Sequence, residues 1–145
     1  MITEQYVSYE IARLLKEKGF NETCRAEWLE YIDGPSKCKT YLTECGRGLQ
    51  HDRCSNTSLE KFNYNGQMYY AAPTQQMAMA WLREKGIIIT IDYGNIGHPE
   101  EPELIYYYEI VNLAGELIDC NITDHNKTYE EAVEAALKYC LTNLC

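Results

Sequence analysis

The chain has 145 residues, 46% of them hydrophobic, and a formal net charge of −9. Its length is typical of one domain and its hydrophobic content is too high for a disordered chain, so we predict a single domain over 1–145. A core of this size needs neither metal nor disulfide. The negative charge repels phosphate backbones, which excludes general binding to nucleic acid or anionic membranes and favours a basic partner.

The compartment is predicted from the absence of targeting signals. Residues 1–5 have neither the basic nor the apolar character of a signal peptide. The longest apolar run, 86–91, is far shorter than the ~20 residues of a membrane helix. Without an export signal the seven cysteines are expected to be reduced thiols. We therefore predict a cytoplasmic protein.

The first predicted element is a helix over about 8–18. Ser8 can cap its first amides, and Ile11 and Leu15 belong to an apolar stripe with helical spacing. Gly19 supplies the left-handed residue that ends such a helix.

The segment 21–65 differs from the rest of the chain. It contains four cysteines and little apolar periodicity. Because structureless loops of this length are uncommon in compact domains, we expect short elements around 28–32 and 39–42. We predict an insertion that is laid over the core and carries specificity.

This insertion contains the sharpest group of metal-binding residue types, namely Cys38, Cys45, His51 and Cys54. Three thiolates and an imidazole can hold zinc tetrahedrally, but the spacing differs from that of zinc knuckles. We therefore predict no metal, and a zinc-stabilised interaction module is kept as an alternative.

A short strand is predicted over 67–71, and a second helix over 74–85. The amides and the dipole at the start of this helix favour an anion, and Thr74, Gln75 and Gln76 can add hydrogen-bond donors. These three residues form one half of the predicted ligand-binding set. Plain helix capping is the alternative interpretation.

Three strands follow, over 87–93, 104–111 and 116–122, joined by a loop at 94–103 and a tight turn at 112–115. They are predicted to form an antiparallel meander.

A third helix begins at Thr128, which forms a T-x-x-E capping box with Glu131. The predicted fold class is α+β, an antiparallel sheet of three or four strands with about three helices packed on it.

The abundance of tyrosine is the last feature that indicates a binding surface, since the chain contains 13 tyrosines. Consecutive residues of a strand alternate between its faces, so at least one ring of the second strand of the meander should point away from the core. Such rings can build an aromatic surface for a ligand or for a second copy in a homodimer. The tyrosines assigned to this surface are Tyr93, Tyr106, Tyr107 and Tyr108, with Tyr69 or Tyr70. Ordinary sheet packing is the alternative interpretation.

Carboxylates near strand ends, at Asp92, Asp119 and Asp124, can hold a cation or perform acid–base chemistry. Together with the Cys/His group they support a second alternative, a small hydrolase. No recognisable catalytic signature or phosphate-binding loop is present, so we predict no catalytic residues and no cofactor.

Three segments, 6–20, 72–84 and 129–141, resemble small uncharacterised accessory proteins of prophages and mobile elements of gut bacteria. The resemblance covers both ends and the second helix. It implies an accessory protein of a phage or mobile element. From this type of source we expect a non-enzymatic protein that acts by binding a host protein or a small ligand, and inhibition of a host defence is one role that such a protein can have. The resemblance carries no assigned activity, so no functional residues follow from it.

Overall fold

A computed structural model describes residues 4–32, 38–44, 53–63 and 66–145. In chain order the elements are α1 (Tyr9–Glu17), β1 (Ala26–Ile32), β2 (Cys38–Glu44), α2 (Asn56–Leu59), a 3-10 helix (Glu60–Phe62), β3 (Gln67–Ala71), α3 (Gln75–Glu84), β4 (Ile88–Asn95), β5 (Leu104–Val111), β6 (Leu117–Cys120) and α4 (Tyr129–Asn143). The chain divides into an N-terminal unit, Met1–Thr74, and a C-terminal unit, Gln75–Cys145, which are described separately. The predicted α+β class is confirmed, with two three-stranded antiparallel sheets.

Helix α1 forms where its sequence signals predict. The Ser8 hydroxyl accepts a hydrogen bond from the Ile11 amide at 3.3 Å, and Gly19 has a φ of 89° after the last turn. Ile11, Ala12 and Leu15 are buried. The opposite, polar side of the helix remains accessible to line a site.

The sheet of the N-terminal unit has the strand order β2–β1–β3. Trp28 on β1 lies opposite Tyr70 on β3. The Tyr9 ring on α1 contacts both rings edge-to-face, with centroid distances of 6.3 Å to Trp28 and 5.6 Å to Tyr70. The Trp28 indole donates to the carbonyl of Val7 at 3.0 Å. Helix α1 therefore lies on the face of the sheet that carries these rings. The short elements expected at 28–32 and 39–42 are strands β1 and β2.

The outer edge of β3 is occupied by side chains of its own unit. Asn63 and Asn56 accept hydrogen bonds from the amides of Tyr69 and Ala71, each at 2.9 Å. Lys16 donates to the carbonyl of Tyr69 at 3.3 Å. These bonds satisfy backbone groups with which another strand would otherwise pair.

The C-terminal unit has the predicted meander, with strand order β4–β5–β6. Helices α3 and α4 cover one face, on which Ile110 and Leu137 are fully buried. Strand β6 is shorter than predicted because the side chain of Asn121 replaces further strand pairing. Its oxygen accepts from the amide of Tyr108 at 2.6 Å.

The start of α4 is capped almost as predicted. The Thr128 hydroxyl accepts from the amide of Glu131 at 3.1 Å. The Glu131 carboxylate, however, accepts from Lys127 at 3.0 Å, one residue earlier than in the standard capping box. No helix in the described ranges is both long and apolar enough to cross a membrane.

Candidate functional site

Of the side chains predicted to bind an anion at the start of α3, Gln75 and Gln76 form hydrogen bonds to α4. Gln75 is 3% exposed, and its amide donates to the carbonyl of Glu130 at 3.1 Å and to the carboxylate of Glu134 at 3.2 Å. Gln76 donates to the Tyr129 hydroxyl at 3.2 Å. Thr74 belongs to the N-terminal unit, where it pairs with Tyr6. The ligand-binding role of these three side chains stays a prediction.

The tyrosines of β5 alternate between faces, as predicted. Tyr108 lies on the helix-covered face, 5% exposed, and donates to Asp119 at 2.6 Å. Burial, and then this hydrogen bond, raise the pKa of the Tyr108 phenol above its ordinary value. Tyr106 is on the same face, paired with Tyr93, which is 66% exposed.

Tyr107 points to the opposite face, beside its cross-strand partner Asp92. Desolvation, and then the charge of Asp92, raise its pKa. Of the four tyrosines predicted in this unit, the structure therefore brings together only Tyr93 and Tyr106 as accessible neighbours. Their binding role stays a prediction.

The carboxylates and cysteines considered for chemistry do not converge in the part of the chain that the structure describes. Asp92 and Asp119 lie on opposite faces of the sheet. No group of three His, Cys, Asp or Glu side chains there could hold a metal ion. Cys45 and His51, and the side chain of Cys38, lie outside the described residues. The zinc hypothesis stays a prediction.

A cleft of about 470 Å³ lies between α1 and the sheet of the N-terminal unit. This volume falls in the range of small-molecule pockets. Its lining comes from three elements that are distant in sequence. The lining residues are Tyr9, Arg13, Lys16 and Glu17 from α1, Glu30 from β1, and Met68 and Tyr70 from β3.

The helical wall of the cleft follows from residue spacing. On α1, Arg13, Lys16 and Glu17 follow Tyr9 by four, seven and eight residues. This spacing places the four side chains on one face of the helix. The buried stripe of α1 occupies a different face. One helix thus anchors the unit and presents two cations to the cleft.

The strand wall follows from register. Glu30 lies directly opposite Met68, and Trp28 lies opposite Tyr70. Residues two apart on a strand share a face, so Glu30 and Tyr70 are diagonal neighbours on the face that α1 covers. The Tyr70 hydroxyl donates to the Glu30 carboxylate at 3.0 Å.

The centre of the cleft is a hydrogen-bonded cluster of Tyr9, Glu30 and Tyr70. Burial raises the pKa of both phenols, and hydrogen bonding to Glu30 raises it further. Both hydroxyls therefore stay protonated at neutral pH. They act as hydrogen-bond donors, and neither serves as a base.

Two cations border this cluster. The Lys16 ammonium lies 4.9 Å from the centroid of the Tyr70 ring, a cation–π distance, and also binds the carbonyl of Tyr69. Arg13 is exposed, and its charge acts to lower the pKa of Tyr70. Lys16 is thus fixed in place, whereas Arg13 presents a guanidinium to solvent at the cleft.

The cleft is not predicted from the sequence. Tyr70 was considered for an aromatic surface, but Tyr9, Arg13 and Glu30 were not selected. The signal that could have found them is the polar face of α1, which holds an aromatic ring and two cations within nine residues. Glu30 could not be found this way, because its position depends on the pairing of β1 with β3.

No family model, curated protein or solved structure matches the chain. The resemblance to accessory proteins of prophages therefore stays a prediction.

Proposed function

We propose that this is a non-enzymatic binding protein whose N-terminal unit takes a small anionic ligand in the cleft between α1 and the sheet. The observation that carries the proposal is the Tyr9–Glu30–Tyr70 cluster with Lys16 and Arg13 beside it. Arg13 and Lys16 hold the ligand by charge, next to the carboxylates of Glu17 and Glu30. The Tyr9 and Tyr70 hydroxyls bond to Glu30 within the cluster, so their oxygens can orient the ligand by accepting hydrogen bonds from it.

The chemistry of the cluster favours binding over catalysis. A general base must be deprotonated near neutral pH before it can accept a proton, and the raised pKa values of Tyr9 and Tyr70 oppose this. Glu30 already accepts a hydrogen bond from Tyr70. These groups are therefore suited to recognise a ligand, not to transform it.

Charge along the chain supports an anion in this unit. Residues 1–74 contain nine basic and ten acidic residues, whereas 75–145 contain four basic and twelve acidic residues. An anion near the N-terminal unit is thus repelled little by its net charge. Arg13 and Lys16 provide local attraction, which Glu17 and Glu30 of the same lining offset in part. Arg13 can hold a carboxylate or phosphate through two parallel hydrogen bonds.

A ligand of this kind would combine one oxyanion with a polar group that meets the tyrosine hydroxyls. A nucleotide or a small carboxylic acid meets this description. We place the activity in a cytoplasmic accessory protein of a phage or mobile element, which would inhibit a host defence by sequestering a small signal molecule.

The test is calorimetric titration of the full chain with a panel of nucleoside monophosphates, inorganic phosphate and dicarboxylic acids. We expect one class to bind, and Arg13→Ala to weaken its binding about tenfold or more, the loss typical of a charged hydrogen bond. Arg25→Ala is the matched control, since Arg25 is also an exposed cation of the unit but does not line the cleft. Equal losses in both variants, turnover of the ligand, or no binding by any member would contradict the proposal.

A protein partner is the second candidate, favoured by the charge of the C-terminal unit. With twelve acidic and four basic residues, this unit would attract a basic host protein. Tyr93, Leu113 and Leu117 are exposed on it at 66%, 79% and 62%. Capture of a basic host protein that is lost in Tyr93→Ala and weakened by salt would support this function. A homodimer through the same residues is the other outcome.

The hydrolase and zinc-module alternatives stay predictions. In the ranges that the structure describes, the cysteine with a strongly raised pKa is Cys140, at about 12, because it is buried in α4. Such a thiol stays protonated and is a poor nucleophile.

A further inference from the structure

Two cysteines of the N-terminal unit lie directly opposite each other in a short antiparallel pair. The Cys24 amide donates to the carbonyl of Cys54 at 2.6 Å, and the Cys54 amide donates to the carbonyl of Cys24 at 2.8 Å. Each residue is 2% exposed. Both backbone bonds of a hydrogen-bonded residue pair are therefore made, and the two side chains point to the same face.

The surrounding contacts hold this pair in register. Asn56 donates to the carbonyl of Phe20 at 2.7 Å, and the amide of Thr57 donates to the side chain of Asn21 at 2.8 Å. The two segments are thus joined beyond the cysteines as well as at them. Sliding one segment past the other would break four hydrogen bonds.

The backbone separation suits a disulfide, with some strain. Opposed residues of a hydrogen-bonded antiparallel pair have Cα atoms about 5.5 Å apart, inside the disulfide range of about 4.4–6.8 Å. Their Cβ atoms, however, lie near the upper end of about 4.5–5.5 Å, whereas a relaxed disulfide has about 3.8 Å. A bond formed here would be strained, and strained disulfides are reduced easily.

The thiols are now turned toward backbone carbonyls. Cys54 donates to the carbonyl of Ala26 at 3.2 Å, and Cys24 lies 3.5 Å from the carbonyl of Glu22. Rotation about each Cα–Cβ bond would bring the sulfurs toward each other and would break these weak bonds.

We propose that Cys24 and Cys54 form a modification site, a thiol pair that a low-molecular-weight disulfide such as oxidised glutathione converts into a reversible intramolecular disulfide. One cysteine thiolate attacks a sulfur of oxidised glutathione, forms a mixed disulfide and releases the first glutathione thiolate. The second cysteine thiolate attacks the protein sulfur of that mixed disulfide and releases the second. The protein loses two protons and two electrons, and one glutathione disulfide becomes two thiols.

The bond would tie the start of β1 to the start of α2. It would close a loop that contains β1 and β2, and thereby restrict the unfolded chain. Because the thiols are buried, reaction requires local opening, and reduction by glutathione reverses it. The site is independent of the ligand cleft and of any function proposed for it.

The test uses the full chain incubated in glutathione buffers of increasing oxidised fraction, quenched by alkylation and analysed by intact mass and peptide mapping. A parallel arm in dilute urea allows local opening. We expect a species two hydrogens lighter, in which one bond joins the peptides of Cys24 and Cys54. We also expect reversal by excess reduced glutathione and a rise of the thermal midpoint by about 5 °C.

Cys24→Ser and Cys54→Ser should each abolish this species, whereas Cys120→Ser, in the other unit, should leave it unchanged. Peptide mapping of the unaltered chain decides the matter even if a variant fails to fold. A bond to another cysteine, a mixed disulfide that never resolves, or no reaction in either arm would overturn the proposal.

Discussion

The two units use the same architecture in different ways. Each has a three-stranded antiparallel sheet with helical cover on one face. In the C-terminal unit, polar groups near the helices complete internal packing, as in the bonds from Tyr108 to Asp119 and from Gln75 to Glu134. In the N-terminal unit, the equivalent polar groups of Tyr9, Tyr70 and Glu30 line an open cleft.

This difference shows that residue type alone does not make a site. Tyrosine–carboxylate hydrogen bonds occur in both units, at Tyr108–Asp119 and at Tyr70–Glu30. The second borders the cleft, where two cations lie beside it. The first is therefore expected to contribute stability, and the second to contribute mainly binding.

The largest loss of stability is expected from substitutions in the two cores. Leu15→Ala and Leu137→Ala each remove a side chain that is 0% exposed, one in each unit. Each should lower the free energy of unfolding by about 2–5 kcal/mol, because a buried cavity remains. Urea denaturation followed by circular dichroism measures this. Leu113→Ala, at a site that is 79% exposed, is the control and should change it by about 0.5 kcal/mol or less. A change that small in either core variant would show that its helix is packed differently.

Removing one tyrosine hydroxyl from each unit tests the proposed difference between the two units most sharply. Tyr108→Phe removes the 2.6 Å hydrogen bond to the half-buried Asp119 carboxylate and should cost about 1–3 kcal/mol of stability. Tyr70→Phe should lower the stability less, because Glu30 keeps its hydrogen bond with Tyr9. The same substitution should weaken ligand binding several-fold. Denaturation and calorimetry of both variants measure this. The reverse pattern would break the proposed division of roles.

Alkaline pH should destabilise both units through their buried phenols. Folding raises the pKa of Tyr9, Tyr70 and Tyr108 above the ordinary 10.0. A group with a raised pKa stabilises the fold fully below its unfolded pKa and loses that contribution as pH rises. The free energy of unfolding should therefore be flat up to about pH 9 and then fall.

Cys140 adds a decline that begins about one pH unit lower than that of the phenols, because burial raises the pKa of its thiol from 9.0 to about 12. Urea unfolding at pH 8, 9, 10 and 10.5 measures the slope. Tyr9→Phe and Tyr108→Phe should each make it shallower than in the unaltered chain. An unchanged slope in both would contradict the burial of these phenols.

The smallest loss of stability is expected from a substitution at the start of α4. Thr128→Ala removes the hydroxyl that accepts from the amide of Glu131 and should cost about 1 kcal/mol. Thr128→Ser keeps the acceptor and should cost much less, which separates the cap from other effects. Thermal denaturation of the two variants measures the difference. Equal losses would show that the hydroxyl does not cap α4.

Elements with local signals were predictable from the sequence. Ser8 and Gly19 bound the first helix, and the β-branched run before Tyr93 forms the first strand of the meander. The hydrogen bonds of Gln75 and Gln76 to α4 could not be predicted, because nothing in the sequence places α4 beside these residues. The cleft was unpredictable for the same reason. It depends on the pairing of β1 with β3, and Glu30 lies in the segment that we interpreted as an insertion.

The most direct test is a nuclear magnetic resonance titration of the isotope-labelled full chain with the ligand class that binds by calorimetry. We predict that the shifted amides cluster on α1, β1 and β3, around Tyr9, Arg13, Glu30 and Tyr70, and that Arg13→Ala removes the shifts. Shifts confined to the C-terminal unit, or unchanged by Arg13→Ala, would contradict an anion-binding cleft in the N-terminal unit.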